Sequence, residues 1–226
     1  KYHDSMRADG LILLGYGDYT LYASRLAELV RHGTHFARWG SVSSDTSGAT
    51  IGSDNLGAGR MVAEHLLETG RRKVAFLGHA DDHYPEFAHR YKGLCDGLEA
   101  AGIVPDRALQ RDAITTEEAG YDAAQDLIES GAQFDAIFAG SDLIAVGAMR
   151  ALAQAGLKVP QDVAVVGFDD IPAASLASPP LTTIQQDMRG AGERLVETLI
   201  AQIEGEELPP TRLPTRLIVR GSSDAA

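Results

Sequence analysis

The run Ala136-Ile137-Phe138-Ala139, then Gly140-Ser141-Asp142 and the apolar-rich stretch from Leu143 to Gly156, decides the fold class. Four consecutive apolar residues without polar alternation suit a strand covered on both faces. Ser141 and Asp142 are residue types that open a helix, and Gly156 is one that stops it. The same strand-then-helix unit repeats on either side. Strands are expected at Leu11–Leu14, His35–Trp39, Thr50–Gly52, Lys73–Leu77, Ala136–Ala139 and Val163–Phe168. Between them, Tyr22, Leu26, Leu29 and Val30 share one helical face that ends at Gly33. Ala58, Val62, His65 and Leu66 form another, capped by Asp54 or Asn55 and ended by Gly70. Tyr91, Leu94, Leu98 and Ala101 precede Gly102, and Thr116 caps a helix whose first turn holds Glu117 and Glu118. Leu195, Leu199 and Ile203 mark a last helix before Gly205. Alternation of this kind predicts a doubly wound α/β fold with parallel sheets.

The 226 residues are 44% apolar, enough for one large α/β domain or two smaller lobes. No stretch approaches the roughly twenty apolar residues of a membrane span, so no membrane association is expected. Lys1 to Gly10 carries no signal-peptide pattern, and Lys1 to Asp9 reads as the end of a helix leading into a strand, as if the chain began partway through a lobe. The single Cys95 excludes an intramolecular disulfide and suits a cytoplasmic location. With 20 Lys and Arg against 32 Asp and Glu, the net charge is −12. Such a surface repels a phosphate backbone, so any DNA contacts are expected outside this chain.

Ligands of open α/β sheets bind beyond the carboxyl ends of the strands. Those ends supply Trp39 and Gly40, Ser53 and Asp54, Gly78 and His79, Ser141 and Asp142, and Asp169 and Asp170. Carboxylates accept hydrogen bonds from hydroxyls, and an indole packs on the apolar face of a sugar ring. Purines and other polar rings could use the same groups. The plainer alternative is that strand-end Ser and Asp cap the helices that follow. Enzyme signatures are missing: there is no G-x-S-x-G elbow and no phosphate loop, and after Gly15-Tyr16-Gly17 Thr20 stands where a dinucleotide fingerprint needs its third glycine. The tract from His79 to Glu86, with His89, matches no common zinc spacing and is broken by Pro85, so no metal or cofactor is expected. Cys95 sits beside Leu94 and Leu98 and reads as a core residue.

Several stretches together resemble the lactose-repressor (LacI) family of bacterial transcription regulators. They are Phe138-Ala139-Gly140-Ser141-Asp142-Leu143-Ile144-Ala145-Val146-Gly147-Ala148-Met149, Leu157-Lys158-Val159-Pro160-Gln161-Asp162-Val163, Val165-Val166-Gly167-Phe168-Asp169-Asp170 and Pro179-Pro180-Leu181-Thr182-Thr183-Ile184-Gln185-Gln186. Asp54-Asn55, Glu64-His65-Leu66 and Arg90-Tyr91-Lys92-Gly93 add to the resemblance. It implies two doubly wound lobes of periplasmic-binding-protein type, joined by several chain crossings, with a small sugar-like effector held between them. It also implies a homodimer that binds operator DNA through a helix-turn-helix head upstream, and an N-terminal lobe incomplete in this chain. On that basis residues 1–53 and 186–206 are expected in the N-terminal lobe, and 54–185 and 207–226 in the C-terminal lobe. The resemblance assigns effector binding to Arg90 and Asp169. It extends the role to Trp39, Asp54 and Ser141, although many sugar-responsive members carry Asn at the position of Ser141. Tyr84, Glu86, Thr115 and Gln186 complete the expected set. The rival function is a periplasmic sugar-binding protein of a transporter, which shares the fold. A doubly wound enzyme is a third reading.

Overall fold

The computed structural model describes residues 8–15, 18–42 and 49–224. In chain order its elements are β1 (Leu11–Leu14), α1 (Thr20–Arg31), β2 (Phe36–Trp39), β3 (Thr50–Ser53), α2 (Asn55–Glu68), β4 (Val74–Leu77) and α3 (Pro85–Ala100). There follow β5 (Gln110–Arg111), α4 (Glu117–Glu129), β6 (Ala136–Ala139), α5 (Asp142–Gln154), β7 (Ala164–Asp169), α6 (Pro172–Leu176) and β8 (Thr182–Gln186). The last three are α7 (Met188–Ile203), β9 (Thr211–Leu213) and β10 (Thr215–Ile218). The reading of Lys1 to Asp9 as a helix end falls largely outside the described residues, as do Tyr16 and Gly17. The chain divides into two compact units: Lys1–Asp54, Asp82–Glu86 and Asp187–Pro214 form the smaller, and Asn55–Asp81, Phe87–Gln186 and Thr215–Ala226 the larger.

The smaller unit is built on a parallel sheet in the order β1-β2-β3-β9. Its core joins Ala37, Trp39, Ala49 and Ile51 to Ala191 and Leu195 of α7, with Leu199 and Leu213 packed against them. On α1, Tyr22, Leu26 and Leu29 are half-buried. Val30, expected on that face, is 61% exposed.

The larger unit holds a six-stranded sheet in the order β10-β8-β7-β6-β4-β5. Period-two alternation within its strands builds two cores. Val74, Phe76, Ala136, Phe138, Val166 and Phe168 pack with Ala58, Val62 and Leu66 of α2 and Leu94 and Leu98 of α3. Ala75, Leu77, Ile137, Ala139 and Val165 pack with Ala124 and Leu127 of α4 and Ile144, Ala148 and Leu152 of α5. Helices therefore cover both faces, which is why these strands read as unbroken apolar runs. The α2–α3 contact is close enough to demand glycine at the crossing. A Cβ on Gly93 would fall on the Leu56 carbonyl, and one on Gly59 on the Arg90 carbonyl.

Two expectations need correction. The larger sheet is not wholly parallel, because β10 runs antiparallel to β8. Residues 207–214 do not join the larger unit: Thr211, Arg212 and Leu213 pair in parallel with Ile51, Gly52 and Ser53. Pro214 separates β9 from β10 and brings no N–H to a ladder, so the chain leaves one sheet there and enters the other. Residues 82–86 likewise belong to the smaller unit, and Gln186, expected in the N-terminal lobe, belongs to the larger.

Candidate functional site

In the larger unit, β4 is followed by α3 on one face of the sheet and β6 by α5 on the other. The point between two such strands is where an open α/β sheet leaves a crevice beyond the strand ends. Gly78 and Gly140 follow these strands, and a Cβ on either would meet the Phe87 ring at 3.2–3.3 Å. Their lack of side chains makes room for Phe87 and, beside it, Arg90.

Arg90 projects from α3 and is 6% exposed. Its Nε donates to Asn55 Oδ1 at 2.8 Å, and Nη1 donates to the Gly140 carbonyl. The guanidinium lies over the Phe168 ring, 3.5 Å from its centroid, with Phe87 at 5.1 Å. A weakly hydrated, planar cation is suited to such a stack. One side-chain amide, one carbonyl and two rings therefore fix where its charge sits.

Asp169 ends β7 and starts a turn in which it and Asp170 adopt φ of 120° and 57°. Non-glycine residues enter these regions at a cost and persist only where their surroundings hold them. Here the holding groups are identifiable. Gln186 Nε2 donates to Asp169 Oδ1 at 2.7 Å, Gln185 Nε2 to Asp170 Oδ2 at 2.6 Å, and Arg220 Nη2 to Asp170 Oδ1 at 2.7 Å. Burial pushes the Asp169 carboxyl up from its ordinary range, opposed by the Arg90 charge and the Gln186 hydrogen bond. Asp169 remains only partly buried. The result is a half-open acceptor beside a fixed cation, an arrangement able to bind hydroxyl groups.

The other expected residues of this unit differ in placement. Ser141 is 1% exposed, and its Oγ accepts from the Ile144 N–H at 3.4 Å as the cap of α5. Thr115 is exposed in the segment before α4, one residue from the cap Thr116. Asp142 is fully buried and receives the Thr183 hydroxyl at 2.5 Å and the Ile171 N–H at 2.9 Å.

In the smaller unit, Trp39 is 8% exposed within the apolar core, so most of its indole serves packing. Its neighbour Arg38 is buried too, with Nη2 3.4 Å from Thr50 Oγ1 and its guanidinium 5.6 Å from the Tyr19 ring centroid. Glu86, in the first turn of α3, accepts the Ser41 N–H at 2.7 Å. Burial and the Glu86 charge push the Tyr22 hydroxyl up, while Arg38 opposes them. Tyr84 and Asp54 are half-buried, and the Asp54 N–H donates to the Leu213 carbonyl at 2.9 Å. Asp54 therefore ends the smaller unit, while the neighbouring Asn55 holds Arg90.

Sequence reasoning missed Asn55 as a partner of Arg90, Phe168 as its platform, and Arg220 as the counter-ion of Asp170. Asn55 was visible as a helix-cap candidate and as part of the family resemblance but not as a partner of Arg90, and Arg220 lies far along the chain from its partner. Among the described residues, no group of three or more His, Cys, Asp or Glu is arranged to hold a metal ion. His79 Nδ1 lies 3.6 Å from Asp112 and 3.9 Å from Asp81. Burial raises the Cys95 thiol, as it does the adjacent Tyr91 hydroxyl, which reaches about 12. A raised thiol is a poor nucleophile.

The fold and the strand-end site define a periplasmic binding protein-like domain, and the sequence profile of that domain matches residues 63–223. The transcriptional regulator CelR of Thermobifida fusca is 37% identical over 171 residues, covering 75% of this chain and 50% of CelR. The ribose operon repressor of Escherichia coli is 32% identical over 220 residues, covering 96% of this chain and 66% of the repressor. A solved CelR–cellobiose complex superposes with a TM-score of 0.88 at 31% identity, over 98% of this chain and 68% of that one. The lac repressor dimer bound to operator and the anti-inducer ONPF gives 0.86 at 27% identity, over 98% of this chain and 76% of that one. The chain belongs to the LacI family of transcriptional regulators and is an effector-binding domain of that family. It spans about half to two thirds of the length of the curated relatives named here. Among the described residues, no helix is long and apolar enough to cross a membrane.

Proposed function

We propose that this chain is the sensing part of a cytoplasmic, homodimeric repressor, binding a small sugar or glycoside and catalysing nothing. The carrying observation is Asp169, held in a positive-φ turn at the end of β7 with Gln186 at 2.7 Å and the Arg90 charge beside it. Its carboxylate accepts sugar hydroxyls, and the Arg90 guanidinium, stacked on Phe168, supplies the positive charge. Ser141, Thr115, Trp39, Asp54, Tyr84 and Glu86 complete the proposed set. For Ser141 and Trp39, a capping and a core role stand beside it. The relatives support the ligand class, since one was solved with cellobiose and another is named for a ribose operon.

A ligand favours whichever domain arrangement it binds more tightly, and that preference is how effector occupancy reaches DNA. Operator contacts are assigned to residues outside these 226, because a chain of net charge −12 is unsuited to neutralising phosphates. The first test is a thermal-shift screen with cellobiose, ribose, a glucoside and a purine. A bound ligand at one hundred times its Kd adds roughly 2.7 kcal/mol of stability. Stabilisation by a sugar that Asp169→Asn abolishes is the expected outcome. Stabilisation by the purine alone would replace the sugar reading.

A further inference from the structure

Three carboxylates, Asp142, Asp169 and Asp170, converge at the ends of β6 and β7, and the ion pairing among them is unequal. Asp170 has the Arg220 guanidinium at 2.7 Å. Asp169 has the charge of Arg90 acting on it. Asp142 has no ion pair among the described residues, yet it is the most deeply buried of the three, with no exposed surface. Its contacts explain why the chain keeps it there. Oδ2 receives the N–H of Ile171, the residue that ends the strained Asp169–Asp170 turn, and Oδ1 receives the Thr183 hydroxyl of β8. Gly167 of β7 has no side chain where Asp142 Oδ1 packs, and a Cβ there would collide with it. Asp142 therefore ties the start of α5 and strand β8 to the turn that presents Asp169.

The charged groups around Asp142 are Asp169 of β7, Asp170 of the turn and, through them, Arg90 of α3 and Arg220. Thr183, Gln185 and Gln186 of β8 are neutral, and α6 contributes no charged side chain. Burial, reinforced by the two neighbouring carboxylates, pushes Asp142 up to about 7, against the lowering effect of its two hydrogen bonds. A neutral carboxylic acid keeps the geometry intact. Its carbonyl oxygen accepts the Ile171 N–H and its O–H donates to Thr183 Oγ1. Like charges confined in one site are relieved when one of them takes the proton.

We propose that Asp142 is a positioning residue that holds the proton of this cluster, keeping Asp169 ionised for the effector and linking effector binding to proton uptake. The functional half rests on Asp169 facing the effector. An occupant at Asp169 displaces water, which makes a second charge in the cluster costlier and moves the Asp142 titration upward. Affinity then rises as pH falls through neutrality, by roughly tenfold for each unit that binding adds to the titration midpoint.

The test is carboxyl carbon-13 NMR of the whole 226-residue chain from pH 4.5 to 8.5, with D142N and D169N used for assignment. Without ligand, Asp142 is expected to titrate near neutrality and Asp169 below it. T183V, which removes one lowering hydrogen bond, moves the Asp142 midpoint further up. Asp142 titrating in the ordinary carboxylate range, or Asp169 keeping its proton after Asp142 has lost its own, overturns the proposal. With cellobiose as the probe, calorimetry near pH 7 in two buffers of different ionisation enthalpy is expected to show proton uptake by the parent and none by D142N. Equal pH slopes of affinity in parent and D142N would also overturn it. If cellobiose neither binds nor raises the melting temperature, the sugar reading loses its first candidate. The order of the two ligand-free titrations still decides the present proposal.

Discussion

Arg90 and Asp169 occupy the same site but respond differently to substitution. Arg90→Ala removes the hydrogen bonds to the Asn55 side-chain oxygen and to the buried Gly140 carbonyl, and a buried polar group left unsatisfied costs about 1–3 kcal/mol. This variant is expected to lose stability along with effector binding. Asp169→Asn keeps the shape of the side chain, removes the charge and turns one acceptor oxygen into a donor. Since a hydrogen bond to a charged group contributes roughly 1.5–3 kcal/mol, effector affinity should fall by about tenfold or more. Paired melting and titration measurements separate the two: an Asp169→Asn variant that binds within twofold of the parent excludes Asp169 from the site. Asp142 makes a prediction of opposite sign to an ordinary salt-bridged carboxylate. Its titration is raised on folding to about 7, so between the ordinary carboxylate range and neutrality the folded chain holds a proton that the unfolded chain releases. Its contribution to stability therefore falls as pH rises across that window. Melting of D142N relative to the parent should improve from pH 5 to pH 8, and a constant difference contradicts the raised titration.

At the scale of elements, α2 and α3 act as one unit because Gly59 and Gly93 let their backbones touch. Gly93→Ala would drive a methyl against the Leu56 carbonyl and push α3, with Arg90 on it, away from Phe168. Overpacking typically costs about 1–3 kcal/mol, and at this chain length each kcal/mol lowers Tm by about 2–4 °C. Gly192 of α7 is the counter-example, with nothing within 4 Å of its would-be Cβ. Gly192→Ala should raise stability by roughly 0.5–1 kcal/mol, as replacing glycine inside a helix does. A calorimetric Tm that falls for both variants would mean that close approach is not the reason for Gly93.

These elements also mark how far the sequence could be read. The apolar runs of β4, β6 and β7 declared themselves because helices bury both of their faces. Strand β8 did not, because Thr182, Thr183, Gln185 and Gln186 resemble a polar loop until Asp142, Asp169 and Asp170 supply their partners. Strands β9 and β10 are short and flank Pro214, and nothing local tells which sheet each joins. The resemblance points to Arg90, Asp169 and Gln186, whereas Asn55 and Phe168, which orient Arg90, meet it only in three dimensions. Trp39 can be read either way from residue type, since an indole at a strand end serves a core as readily as a sugar.

For the molecule as a whole, charge and length act together. A chain with 32 acidic and 20 basic residues should show no measurable duplex binding at physiological salt, where even proteins suited to non-specific binding reach only about 10⁻⁴ to 10⁻⁶ M. Mobility shift of this chain on a promoter fragment tests that directly, and tight binding by these 226 residues would move the DNA contacts into them.

Whether the Asp169–Arg90 site binds a sugar is decided by titration calorimetry of the 226-residue chain with cellobiose and ribose, parent beside Asp169→Asn. Saturable binding of one sugar by the parent, weakened at least tenfold in the variant while its melting temperature is preserved, is the predicted result. Sugar binding that survives intact in Asp169→Asn, or no binding of either sugar by a parent that binds a non-sugar ligand, would rule out a sugar site at Asp169.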